Sequence, residues 1–382
     1  MKPTRRSAAA AAMIVTATAG LLAGSGIMAG AASADSTFIG PLNTVTPLAS
    51  TIPQNGDVNP YGVAVVPRDN GDLHQGNVLV SNFNNKANVQ GTGTTIVQVT
   101  PGGQVSQFAK IGNMAGACPG GVGLTTALVA LRSGWVIVGS LPTKQVSGNT
   151  VISGSGCLIV LDDQGKVQET FTGHGINGPW DMTALDLGGI AELFVTNVLN
   201  GTVAAGGNTV NGGTVLRLVI STADTPQLLR ARTIGSGFGE HTDPAALVIG
   251  PTGVGLGPNG TLYVADTVAN RIAAIPNAAG RFSDDGTGTT ITTNGALNGP
   301  LGLAIAPNGD ILTVNSGDGN MVETTPGHVQ ADVKTVDGQG DPAGAGNLFG
   351  LAVEPGADAV YFVDDFGGPS ANGQTNNLNL FH

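Results

Sequence analysis

The stretch Gly253-Val254-Gly255-Leu256-Gly257-Pro258-Asn259-Gly260-Thr261-Leu262-Tyr263-Val264-Ala265-Asp266 recurs, position for position, as Gly302-Leu303-Ala304-Ile305-Ala306-Pro307-Asn308-Gly309-Asp310-Ile311-Leu312-Thr313-Val314-Asn315. Each copy reads as strand, tight turn, strand. The Pro-Asn-Gly corner supplies the positive φ that a hairpin needs, and the apolar runs on both sides are those of strands stacked between other sheets. Gly350-Leu351-Ala352-Val353-Glu354-Pro355 ahead of Val360-Tyr361-Phe362-Val363-Asp364 is a third copy, and Gly62-Val63-Ala64-Val65-Val66-Pro67 ahead of Val78-Leu79-Val80-Ser81-Asn82 a fourth. Two weaker copies start near Ala127 and Asp181.

The anchors 62, 127, 181, 253, 302 and 350 are spaced by 65, 54, 72, 49 and 48 residues. Those intervals suit an all-β, six-bladed β-propeller of four-stranded blades carrying insertions. A third strand follows each pair where it can be read, as in Thr95-Ile96-Val97-Gln98-Val99 and Cys157-Leu158-Ile159-Val160-Leu161. The sixth blade runs out of chain after its third strand, near Leu378 to Phe381. The fourth must come from residues 38 to 52, so the N-terminal segment around 43 to 48 is expected to close the ring and leave no open edge. An irregular β-sandwich with Gly-rich turns is the competing fold.

Composition narrows the function. The chain has 382 residues, 11% charged, with 61 glycines and a net charge of −11. A 41% hydrophobic fraction is too high for a disordered low-complexity chain. The acidic balance disfavours nucleic acid and polybasic membrane contact. Residues 1 to 34 read as a signal peptide: Lys2, Arg5 and Arg6, then a small-residue apolar stretch, then Ala32-Ser33-Ala34 as the cleavage site. Either the general secretory or the twin-arginine route is compatible with Arg5-Arg6. Cleavage near Ala34 leaves residues 35 to 382 as one acidic domain, secreted, with no later run of the ~18 apolar residues a membrane span needs. In that oxidising compartment Cys118 and Cys157 are expected to form a disulfide. A monomer is expected.

At this point the chain resembles the NHL-repeat six-bladed propellers. Asp266-Thr267-Val268-Ala269-Asn270-Arg271-Ile272 is similar to that family's D-t-x-N-x-R-I element, and Gly299-Pro300-Leu301-Gly302-Leu303-Ala304 to its blade start. Calcium-dependent lactonases of the gluconolactonase type, which also look related, place Glu, Asn and Asp where inner strands begin. Here those places hold Tyr61, Thr126, Trp180, Thr252, Leu301 and Phe349, followed by one carboxylate, Asp181. A Ca²⁺ site wants about six to eight oxygens, so no metal and no cofactor is implied. The virginiamycin B lyase resemblance implies a His and an acid at the channel mouth, for which His174, Glu240 and His241 are the candidates.

Two functional readings stand. In the first, the propeller is a non-catalytic binding module for a protein, glycan or small molecule, engaging it through Tyr61, Trp180, Asp181 and Phe349 at the mouth. Long loops in blades 6, 1, 2 and 3 would frame that face. In the alternative it is a lyase or a lactonase-like hydrolase using His174, Glu240, His241 or Asp181. Gly235-Ser236-Gly237-Phe238-Gly239 lacks a dinucleotide-site context and reads as a loop.

Overall fold

In a computed structural model, residues 37–112, 117–244, 246–365 and 376–382 are described; the signal-peptide reading falls outside them. The expected strands form, because each alternates backbone pairing with side chains that interleave between neighbouring sheets. Six antiparallel sheets follow one another round a ring. The first four blades start with inner strands Val58–Val65, Leu128–Ala130, Pro179–Asp186 and Pro251–Leu256. Pro300–Ile305 and Leu348–Val353 start the fifth and sixth. Apart from the one-turn 3-10 segment Ala278–Gly280, the described residues contain no helix. Buried apolar side chains fill each gap between blades; Ala127, Ile137 and Leu158 of blade 2, for example, pack with Met182, Leu193 and Leu216 of blade 3.

The ring closes as expected. Val45–Ser50 pairs antiparallel with Asn377–Phe381, with Val45 opposite Phe381 and Ser50 opposite Asn377. The segment leading into this clasp is held by blade 5: the buried Glu323 carboxylate accepts hydrogen bonds from the Phe38 and Ile39 backbone N–H groups at 2.7 and 2.8 Å. Thr51 continues the clasp into blade 1, where the Asn82 amide donates to its carbonyl at 2.7 Å. Cys118 and Cys157 are bonded, with Cα atoms 5.5 Å apart, tying the entry of blade 2 to its third strand.

The repeat motif has a visible job. Asp266 and Arg271 face each other across the second and third strands of blade 4 and form an ion pair at 2.8 Å. Between them Asn270 takes a left-handed turn, φ 49°, and its side chain spans to the next blade, donating to the Leu297 carbonyl at 3.0 Å and accepting from the Gly299 N–H at 2.8 Å.

Two segments depart from expectation. Gly235 to Gly239 is not a loop: it lies within the 17-residue strand Gln227–Asp243, paired through several register shifts with Val210–Ser221. Glycines at bulges absorb the irregular register, and Gly237 does so at φ 83°. The blade 2 insertion, one of the expected long loops, contains the hairpin Thr143–Val146 with Asn149–Ile152. Its Ser147-Gly148 corner has φ of 50° and 82°, the left-handed pair that a two-residue turn needs.

Deleting residues 37 to 50 removes the clasp and bares an edge strand; the expected result is a marked fall in melting temperature with aggregation, read by differential scanning fluorimetry and light scattering. Reducing the disulfide, which spans 39 residues, should lower stability by roughly 4 kcal/mol on the chain-entropy account, measured by urea unfolding with and without reductant.

Candidate functional site

The inner strands run close to the axis, and the residues at their starts decide what fills it. Tyr61, Trp180, Leu301 and Phe349 converge with Phe83, Leu124, Leu141, Val198 and Val248 into one apolar cluster. The rings meet mostly edge to face: Tyr61 and Trp180 have centroids 6.0 Å apart at 88°, and Phe83 and Phe349 lie 6.4 Å apart at 87°. The Trp180 indole N–H donates to the Tyr61 hydroxyl at 2.7 Å, which satisfies both polar tips inside the cluster. Tyr61 is 2% and Trp180 4% exposed, so the aromatics work first as a plug across the channel.

Above the plug, on the loop side, is a pocket of about 230 Å³. Phe83, Leu124, Trp180, Leu301 and Phe349 wall it, with Asn59, Thr126 and Asp365 among its polar members. Asn59 Oδ1 and Thr126 Oγ1 are buried there without a hydrogen-bond partner. Burial, then the neighbouring Asp364 charge, pushes the Asp365 carboxyl up to about 8. The surrounding loops are knitted together: the hairpin of blade 2 reaches blade 1 through Thr143 Oγ1 to the Gly91 carbonyl at 3.0 Å and Thr150 Oγ1 to the Gln90 carbonyl at 3.1 Å. Most of the blade 6 loop, 366 to 375, lies outside the described residues.

Below the plug is a cavity of about 390 Å³ walled by the inner strands. Asp181 stands here, not in the mouth pocket with the aromatics. One carboxylate oxygen accepts the Met182 N–H at 2.7 Å, and the Val254 N–H of the next blade also donates to the group. Burial raises its pKa from 3.8 to about 7, against the opposing pull of those two donors. The same burial, with the Asp181 charge second, holds the Tyr61 phenol well above its usual value.

The remaining candidates are scattered. His174 is exposed on the loop between blades 2 and 3, at φ 54°. Glu240 is fully buried and accepts the Asn200 N–H at 2.7 Å; burial lifts it from 4.5 to about 7. His241 turns its Nδ1 to the Thr242 carbonyl at 3.0 Å. Among the described residues no hydrogen bond or ion pair joins any two of His174, Glu240, His241 and Asp181, and no group of three His, Cys, Asp or Glu side chains is placed to hold a metal ion. Calcium bound as in the lactonases would find one carboxylate here where it needs several. Phe83, Leu124, Asn59 and Asp365 were not singled out by sequence. Phe83 and Asp365 each immediately follow a recurring Asn or Asp at the end of a second strand, which is the signal that could have marked them.

No protein-family model and no curated protein matches the chain by sequence. Similar solved structures include a luciferin-regenerating enzyme, 11% identical over 88% of this chain and 94% of that one, with a TM-score of 0.56. A calcium-binding protein, regucalcin, from Agrobacterium tumefaciens is 12% identical over 87% and 92%, at 0.52. A gluconolactonase from Xanthomonas campestris is 12% identical over 89% and 98%, also at 0.52. At this identity the likeness is one of fold: a six-bladed β-propeller.

Asp181 gives a signed pH test. Its carboxyl ionises near 7 in the folded chain and at 3.8 in the unfolded one, so the stability carried by the neutral form is whole below pH 3.8 and lost as pH rises through about 7. Asp181→Asn should therefore gain on wild type as pH rises, by about 4 kcal/mol between the two limits, in paired denaturant titrations. A gap that stays constant with pH would show that Asp181 ionises normally.

Proposed function

We propose that the chain is a secreted, non-catalytic propeller of NHL type that captures the apolar part of a protein, glycan or small molecule in the pocket above the aromatic plug. One observation carries this reading. A pocket of about 230 Å³, walled by Phe83, Leu124, Trp180, Leu301 and Phe349, holds two buried oxygens, Asn59 Oδ1 and Thr126 Oγ1, that have no partner. Apolar walls with a few convergent polar atoms are the ordinary make-up of a small-ligand site. A buried acceptor or hydroxyl without a partner is costly, and a ligand donor would relieve that cost.

Tyr61, Trp180 and Phe349 form the floor and wall, and Asp181 acts from below by polarising Tyr61. Secretion is supported by the leader-like first 34 residues and by the disulfide. Among the described residues no helix is long and apolar enough to cross a membrane. The chain acts as a monomer, without cofactor, and the acidic surface keeps it from nucleic acid.

The enzymatic alternative, a hydrolase or lyase, has one observation in its favour: Glu240, lifted to about 7 by burial, holds an oxygen, Oε2, with no partner. Several of the similar solved structures are described as enzymes, a luciferin-regenerating enzyme and a gluconolactonase among them. Against it, the acid is not joined to either histidine.

A fragment screen by ligand-observed NMR tests the binding reading. Small aromatic and aliphatic compounds should bind wild type, and Leu301→Trp, which fills the pocket, should abolish binding with the melting temperature retained. Lactone, ester and lyase substrates run in parallel, with and without chelator, should show no turnover. Turnover lost in Glu240→Gln would establish the enzymatic reading instead.

A further inference from the structure

The plug divides the axis into two compartments, and the lower one has its own chemistry. Exposure increases away from the plug. Val254, Leu303 and Leu351 are buried, whereas Val65, Ala130, Leu256, Ile305 and Val353, further along the same strands, are partly exposed. The cavity therefore opens on the face opposite the long loops. All the inner strands line it, with their backbone edges and small aliphatic side chains on the wall and Val254, Leu303 and Leu351 packed between blades, and Asp181 is the single carboxylate among the lining residues. No Lys, Arg or His stands among the residues that wall it.

We infer that this lower channel is a second binding site, distinct from the mouth pocket, for a linear aliphatic primary amine that enters tail-outward and pairs its ammonium head with Asp181. Asp181 and Tyr61 line the same cavity, and the partly exposed Ala130, Ala184, Ala304 and Ala352 on its wall give an alkyl chain apolar contact between the strand edges. A carboxylate has lone pairs for about four hydrogen bonds. Two backbone donors, Met182 and Val254 N–H, engage Asp181, so acceptor capacity is left for an ammonium group. A buried charge without a cation is strongly disfavoured, and a cation brought in by a ligand removes that disfavour. The rise of the Asp181 pKa to about 7 is the same fact seen from the empty side. Tyr61 is the other titratable group on the wall and stays neutral, so the head group answers to Asp181 alone.

Isothermal titration with octylamine, octanol and octanoate tests the assignment. Octylamine should bind wild type, octanol should bind about tenfold or more weakly, and octanoate should not bind. Asp181→Asn should weaken octylamine by the same factor. Affinity should fall from about pH 8 to about pH 6 as the carboxyl takes up its proton. Ala352→Phe, which narrows the open end and leaves Asp181 in place, should also block octylamine. Leu301→Trp, which fills the mouth pocket, should leave it unchanged, so failure of the mouth reading and failure of this one are separable. Octanol equal to octylamine, unchanged octylamine binding in both Asp181→Asn and Ala352→Phe, loss in Leu301→Trp alone, or no octylamine binding to wild type would each overturn the inference.

Discussion

The ring depends on how near the inner strands can come to one another. At Gly62, Gly253, Gly302 and Gly350 a Cβ would overlap the carbonyl oxygen of the following blade, those of Thr126, Leu301, Phe349 and Tyr61 respectively. Backbone meets backbone at that level, and nothing larger than hydrogen fits between. This contact fixes the radius of the axis, and with it the level at which side chains can spread inward. Immediately before three of these glycines in the chain stand Tyr61, Leu301 and Phe349; freed from the tight layer, they fold over the axis with Trp180 and seal it.

Blade 2 carries Ala127 at this position, and blade 3 departs further. Asp181 replaces the glycine and reaches across to the Val254 N–H of blade 4, so a side chain bridges where elsewhere backbones touch. Thr196 supports the same joint, donating from Oγ1 to the Thr252 carbonyl at 2.7 Å. The departure in blade 3 thus creates both the seam between blades 3 and 4 and the single carboxylate among the residues that wall the lower cavity. Its altered ionisation follows from position, since no neighbouring acid is needed to raise it.

Most of the architecture was legible because the repeat carries its own punctuation. Pro258-Asn259-Gly260 and Pro307-Asn308-Gly309 fix turns, and the apolar runs beside them fix strands, so the anchors coincide with the inner strands. Closure by residues 43 to 48 was legible for a different reason: the sixth blade lacked a strand and one segment was left over. The insertions were harder. Lys144, Gln145 and Asn149 are polar and exposed, so the blade 2 hairpin carries little hydrophobic periodicity, although Ser147-Gly148 marks its turn. Gly235 to Gly239 resembled a loop because glycine dominates it, yet pairing to a long neighbour holds it as strand. At the site, sequence gathered Tyr61, Trp180 and Phe349 correctly into one layer. It could not show that Asp181, one residue along a strand, falls on the other side of the seal, because a strand's alternation does not say where a closed axis is blocked.

The clasp also dictates an order of events. Thr46 and His382 meet although 336 residues separate them, and bringing such distant ends together carries a loop-closure cost of about 5 kcal/mol before any contact repays it. Emerging from the N-terminal end, the chain can stack blades 1 to 5 in turn, since their pairings are local. Residues 45 to 50 must wait, unpaired, until the strand ending at Phe381 has been delivered. Until then the half-built sixth sheet is an edge open to any passing strand. The molecule is therefore most vulnerable in the last moments of its own synthesis, and a chain cut short by a handful of residues would never leave that state.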